Sequence, residues 1–241
     1  MSSYIAPNRT FPDARSEPPP PPWTVPLEQV RAGFSKLWQR LGAPPRPMHE
    51  EREIIIPGPR GPIRCRLYVP RLSTEPLPIL IFYHGGGCIL MSPEDYASTN
   101  SALAADADCL VLAPDYRLAP ENPFPAPLED AYAALAWTQE NAAAINGDSR
   151  RIAVAGDSGG GYLTAAVALE AKRLGTPQPC CQVLIYPMID AAAKTPSRIT
   201  ESLFLSDPVI EWTNRLHFGD HVLDPRASPI RASDHSGLAP P

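Results

Sequence analysis

Two glycine-rich stretches carry the residues that could do chemistry. The first is Gly156-Asp157-Ser158-Gly159-Gly160-Gly161. An apolar run at residues 151–155 precedes it and reads as a buried strand. Residues 162–172, rich in alanine and leucine, follow and read as a helix. A serine on a tight turn between strand and helix, with glycine two places before it, is the context of a nucleophile elbow. The neighbours must lack Cβ atoms because strand and helix crowd the turn. The second stretch is His84-Gly85-Gly86-Gly87, directly after the apolar run Pro78-Ile79-Leu80-Ile81-Phe82-Tyr83. Three glycines past a strand end offer backbone N–H groups to a developing oxyanion.

Together these pieces suit acyl transfer, which needs a nucleophile, a base, a group to orient the base, and oxyanion donors. Ser158 is the nucleophile candidate. The donors are expected to be the N–H groups of Gly85, Gly86 and Gly159. His84, Gly87 and Asp157 are read as support for the loop and the turn, with His84 holding the loop by hydrogen bonds rather than acting as the base. Asp115 and Arg117 read as scaffold, paired with each other near a loop base. A nucleotide site is not indicated, because neither GxGxxG nor GxxxxGK[ST] occurs.

The elements around them alternate. Residues 27–41 place Leu27, Val30, Phe34, Leu37, Trp38 and Leu41 at helical spacing, ended by Gly42 and the prolines after it. It reads as packing against the body, with a lid over a pocket as the alternative. Residues 52–56 and 63–69 flank a Pro/Gly turn and predict an antiparallel pair. Strands at 78–83, 109–113, 151–155 and 182–186 alternate with helices at 96–108, 128–145 and 162–172. That rhythm predicts an α/β fold with a mostly parallel sheet covered on both faces. Catalytic groups in such sheets gather at the carboxyl ends of the strands. His84, Asp115 and Ser158 therefore share one rim. Residues 200–218 look partly helical, opened by Asp207 and Pro208, and stand outside the rhythm.

Composition narrows the class. The 241 residues carry a net charge of −5 and no basic run, which argues against a nucleic-acid partner. The five cysteines (65, 88, 109, 180 and 181) form no CxxC pair, so no metal site or disulfide framework is expected. No segment reads as a membrane span, and a soluble, cytoplasmic protein is the expectation. Prolines crowd residues 17–26 and 43–47, and 18–22 should be extended polyproline: a flexible tail, with an SH3-type ligand as the alternative.

The motifs, taken in order, resemble the hormone-sensitive-lipase family of α/β-hydrolases. The matching stretches are His84-Gly85-Gly86-Gly87, Asp115-Tyr116-Arg117-Leu118-Ala119-Pro120-Glu121 with Phe124-Pro125-Ala126, the serine turn, and Asp224-Pro225-Arg226-Ala227-Ser228-Pro229. The resemblance implies the α/β-hydrolase fold and hydrolysis of short-chain or acetyl esters through a serine acyl-enzyme, with no metal or organic cofactor. It also implies a proline-rich tail and cap helix over residues 1–50, and a core over 51–241 in which about 190–222 contribute to the cap. Cys88 stands where the family usually has a bulky aromatic.

Family members carry the triad acid and histidine after the serine, beyond a segment that here reads Ser236-Gly237-Leu238-Ala239-Pro240-Pro241. The expectation is a chain lacking the last two strand–helix units, roughly 60 residues, and hence impaired hydrolysis. An open apolar edge at residues 183–186 should follow. His217, His221 and His235 are the downstream histidines, and Asp190 is a conceivable acid without a matching histidine. A non-catalytic ligand-binding member and an amidase or deacetylase are the alternative readings.

Overall fold

The computed structural model describes residues 20–194 and 205–240. Six strands form one sheet in the order β1-β2-β4-β3-β5-β6. They are β1 (Glu50–Gly58), β2 (Gly61–Val69), β3 (Leu77–Tyr83), β4 (Leu110–Pro114), β5 (Gly147–Asp157) and β6 (Cys181–Ile185). β1 and β2 form the expected hairpin, and β2 lies antiparallel to β4. β3 pairs parallel with β4 and β5, and β5 with β6. The sheet is therefore mostly parallel, as the apolar strand runs predict.

Strand β3 shows how sequence becomes packing. Its side chains alternate between faces with period two. Ile79, Ile81 and Tyr83 enter a core under α3 (Ala126–Asn141) and α4 (Gly159–Leu174), among Leu128, Leu135, Leu163 and Val167. Leu80 and Phe82 face the opposite core with Val111, Ala155 and Ala104 of α2 (Ala97–Ala107). Phe34 and Trp38 of α1 (Leu27–Leu41) close that side. The predicted helix at 128–145 ends earlier, at Asn141, and finishes as a 3₁₀ turn over Ala142–Ile145. α5 (Asp207–His217) carries Pro208 in its first turn, as expected; residues 200–204 of that helical reading lie outside the described residues. So do Pro18 and Pro19 of the proline run, whose last member, Pro22, opens a short 3₁₀ turn instead of staying extended.

The expected Asp115–Arg117 pair does not form. The β2–β4 register sets Cys65 opposite Pro114, so Arg64 sits beside Asp115 and binds it at 2.7 Å. Arg117 instead meets Asp130 of α3. Its backbone N–H and Nε reach Oδ2 at 3.0 and 2.8 Å, and Nη2 reaches Oδ1 at 2.8 Å. The Asp130 side chain is 2% exposed and that of Arg117 25%. Removing one partner of such a pair strands a desolvated charge. Asp130→Ala is expected to cost roughly 2–4 kcal/mol, below the fully buried range because Arg117 keeps some water. Asp106→Ala, which breaks an exposed pair with Arg46, should cost at most about 1 kcal/mol. Urea unfolding of both variants checks the contrast.

β6 is the edge strand, and Val183 is 45% exposed. The edge is covered in part. Gln182 donates its backbone N–H to Pro240 O and its Nε2 to Ala239 O, both at 2.8 Å. No helix among the described residues is long and apolar enough to cross a membrane.

Candidate active site

Strands β3, β4 and β5 are neighbours and parallel, so their carboxyl ends deliver His84, Asp115 and Ser158 to one rim. Ser158 stands between β5 and α4 with φ 52° and ψ −113°, a conformation that L-residues rarely adopt and that costs about 1–3 kcal/mol. The surroundings hold it there. Its N–H donates to Ile185 O at 2.9 Å, and its carbonyl accepts from Tyr162 N at 3.0 Å and Met188 N at 3.1 Å. Gly156 and Gly160 let strand and helix approach: a Cβ on Gly160 would fall on the Tyr83 carbonyl and lie 2.6 Å from His84 O. The Ser158 side chain is half-buried. Its hydroxyl has no hydrogen-bond partner among the described residues.

The glycine loop lies directly against the elbow. A Cβ on Gly159 would sit 2.8 Å from both N and Cα of Gly87. Gly86 and Gly87 have φ of 99° and 63°, which is what three consecutive glycines permit. One expected donor is otherwise engaged: the Gly85 N–H donates to Tyr96 Oη at 3.1 Å. The N–H groups of Gly86, Gly87 and Gly159 have no acceptor among the described residues. Gly159 opens α4, whose N-terminal end adds its dipole to any charge nearby.

His84 holds the loop. Its Nδ1 lies 2.8 Å from Gly85 O, and its ring stacks on Tyr116 with centroids 4.4 Å apart. Burial pushes its pKa down, so the neutral ring donates from Nδ1. Asp157 is also buried, which pushes its carboxyl up, and its Oδ2 accepts from Tyr96 at 2.8 Å. Cys88 is fully buried beside Gly159 O, and burial holds its thiol protonated. α1 and α5 reach the same rim. Arg31 of α1 donates to Ile89 O at 2.8 Å and Ala119 O at 2.9 Å. Thr213 of α5 sits so close that a Cβ on Gly87 would meet its Cγ2 at 2.5 Å.

The downstream candidates are elsewhere. Asp190 is paired with Arg231 at 2.9 Å. His235 meets Pro229 O at 2.9 Å, and His221 faces the Phe124 ring at 5.4 Å. His217 is buried among Phe124, Tyr162 and Phe218, with neither ring nitrogen hydrogen-bonded among the described residues. None of the four is bonded to Ser158.

Burial drops the pKa of His217 to about 3. The unfolded chain, with an ordinary histidine near 6.5, binds the proton that the folded chain refuses. His217 is therefore expected to make stability fall as pH drops from about 6.5 towards 3, by up to about 1.4 kcal/mol per unit. His217→Phe should flatten that slope in urea unfolding at a series of pH values. An unchanged slope would place the acid sensitivity elsewhere.

Tyr96, Tyr116, Arg31 and Thr213 were not legible as site residues in the sequence. Tyr116 lies inside the Asp115–Glu121 motif, whereas Tyr96 carries no signal beyond the start of a helix.

Comparison with known proteins agrees with this architecture. The alpha/beta hydrolase fold family matches residues 80–241. Carboxylic ester hydrolase LipN of Mycobacterium tuberculosis is 41% identical over 201 residues, 78% of this chain and 52% of LipN. Carboxylesterase NlhH of the same species is 39% identical over 222 residues, 89% of this chain and 69% of NlhH. Among solved structures, an alpha/beta hydrolase enzyme from the metagenome of Lake Arreo superposes with a TM-score of 0.87 at 36% identity, covering 92% of this chain and 71% of that one. The chain thus spans about half the length of LipN and about two thirds of NlhH. With the serine elbow, the glycine loop and these likenesses together, the chain belongs to the hormone-sensitive-lipase-like family of α/β-hydrolases.

Proposed function

We propose that this chain carries the nucleophile and oxyanion half of a carboxylic-ester hydrolase acting on short-chain or acetyl esters. The observation that carries the reading is Ser158 at φ 52° beside three N–H groups without acceptors among the described residues, those of Gly86, Gly87 and Gly159. Relatives named as carboxylic ester hydrolase and carboxylesterase support it. Ser158 Oγ attacks the ester carbonyl, the carbonyl oxygen takes up negative charge, and the glycine N–H groups stabilise it. The alkoxide then leaves, and water hydrolyses the acyl-serine. Gly85 orders the loop instead of donating. α1 and α5 form the cap that shapes the acyl and alcohol pockets.

No base is bonded to the Ser158 hydroxyl among the described residues, so its proton passes to solvent in this chain. Oxyanion donors and binding alone leave on the order of 10³–10⁴ over water. Turnover of p-nitrophenyl acetate should therefore be slow but above buffer, and should fall as the acyl chain lengthens from acetate to decanoate. A rate equal to buffer for every ester would sink the reading. p-Nitroacetanilide separates the amidase alternative, which requires amide turnover comparable to ester turnover.

The hydroxyl, unpartnered among the described residues, also favours a second reading, a pocket that holds a ligand without cleaving it. A ligand that raises Tm and is recovered intact would support that alternative.

A further inference from the structure

The first peptide of the glycine loop is held at both ends by tyrosines. The carbonyl of His84 accepts from Tyr116 Oη at 2.7 Å, and the N–H of Gly85 donates to Tyr96 Oη at 3.1 Å. Tyr96 donates its own O–H to Asp157 Oδ2 at 2.8 Å, so its hydroxyl bridges the loop to the residue preceding Ser158. Space confirms how tight the junction is. A Cβ on Gly85 would lie 2.5 Å from Asp157 Oδ2 and 2.7 Å from Tyr96 Oη. The Tyr96 ring is fixed separately, stacked on Trp38 of α1 with centroids 5.8 Å apart and packed against Phe82 at 5.9 Å.

The consequence runs along the loop. In a trans peptide the C=O and N–H point in opposite directions. His84 Nδ1 holds the Gly85 carbonyl at 2.8 Å, which turns the Gly86 N–H away from the His84 ring. The Gly86 carbonyl accepts from Ile89 and Leu90, which in turn sets the direction of the Gly87 N–H. The whole series starts from the plane that Tyr96 and Tyr116 fix. With φ of 99° and 63° at the two glycines that follow, intrinsic backbone preference leaves the peptide directions to these hydrogen bonds.

We infer that Tyr96 is a positioning residue for the oxyanion donors: its hydroxyl, bridging the Gly85 N–H and the Asp157 carboxylate, locks the glycine loop against the serine elbow. The inference rests on the acyl-transfer reading for its catalytic consequence, but the locking itself does not. Donors misplaced by an ångström cost about a hundredfold, and a missing donor about 10²–10³.

Tyr96→Phe keeps the ring, its stack on Trp38 and its burial, and removes only the bridge. Tyr186→Phe is the control. Tyr186 Oη also reaches Asp157 Oδ2, at 3.4 Å, but it is 70% exposed and, among the described residues, has no hydrogen bond to the glycine loop. The experiment uses the full chain with a fluorophosphonate. Ser158 Oγ forms the bond to phosphorus, the P–F bond breaks, fluoride leaves and the serine proton goes to solvent. Tyr96→Phe is expected to slow the labelling step about 10–100-fold at unchanged probe affinity, while Tyr186→Phe labels like the unaltered chain. In a [¹⁵N]glycine spectrum the Gly85 and Gly86 amides should shift in Tyr96→Phe alone, and this reports on folding at the same time. Unchanged labelling by Tyr96→Phe would overturn the inference. Should the unaltered chain take no label, the acyl-transfer reading is what fails. The glycine spectrum then decides alone: shifted amides support the lock, and amides that stay put overturn it.

Discussion

Replacing Ser158 with alanine is expected to remove the burst of p-nitrophenol that the proposed acyl-serine mechanism predicts for the unaltered chain with p-nitrophenyl acetate, one equivalent per chain at most. Loss of a serine nucleophile costs about 10⁶ in rate in a hydrolase with its base in place. Here no base among the described residues is bonded to the hydroxyl, so the slow steady turnover should fall to the buffer rate and the burst should vanish. The same position stores strain. Ser158 holds φ 52°, ψ −113° because Ile185, Met188 and Tyr162 pin its backbone. Ser158→Gly removes the Cβ that makes this conformation costly, and should raise stability by about 1 kcal/mol while also abolishing the burst. A more stable and inert glycine variant would mark the strain as part of the site. A less stable one would mean that the serine side chain itself supports the turn. Calorimetry and stopped-flow absorbance on the three proteins distinguish these results.

The second large effect is expected at Gly160. A Cβ there would overlap the Tyr83 carbonyl and come within 2.6 Å of His84 O. Both atoms belong to backbone, so no side chain can rotate aside. Gly160→Ala must push α4 away from the end of β3 or move the start of the glycine loop. Overpacking of this kind costs about 3 kcal/mol or more. For a chain of 241 residues that corresponds to a fall in Tm of roughly 6–12 °C. Burst amplitude should drop further than the folded fraction does, because the displaced backbone carries His84 and the oxyanion donors. Gly175→Ala is a useful contrast. Nothing lies within 4 Å of its Cβ position, but φ is 68°, so it should cost about 1 kcal/mol through strain alone and leave the burst intact.

The large elements were legible because their signals are local. Ile79–Tyr83 and Leu110–Ala113 are apolar on both faces, which only a doubly covered strand requires. Gly156 and Gly160 announced the close approach of strand and helix before the structure placed Tyr83 against them. The rim shared by His84, Asp115 and Ser158 followed from strand direction alone. What escaped were contacts decided by register and by long reach. Asp115 pairs with Arg64 because β2 runs antiparallel to β4 at one particular offset, and no local pattern encodes that offset. The hydroxyl of Tyr96, the residue that caps α2, meets the nearby Gly85 and the sequence-distant Asp157 through the tertiary fold. Gly85 therefore passed for an oxyanion donor in the sequence, while its N–H is engaged in the fold. The histidines show the same limit: His217 reads as one of three downstream histidines, and it lies in an aromatic core with neither nitrogen partnered among the described residues.

Ser158 as a nucleophile served by the glycine loop is tested most directly by intact-mass and peptide mapping after reaction with a fluorophosphonate. One adduct per chain on the peptide containing Ser158, absent from Ser158→Ala and slowed in Gly160→Ala, is the expected result. An adduct on any other residue, or equal labelling of Ser158→Ala, would contradict it.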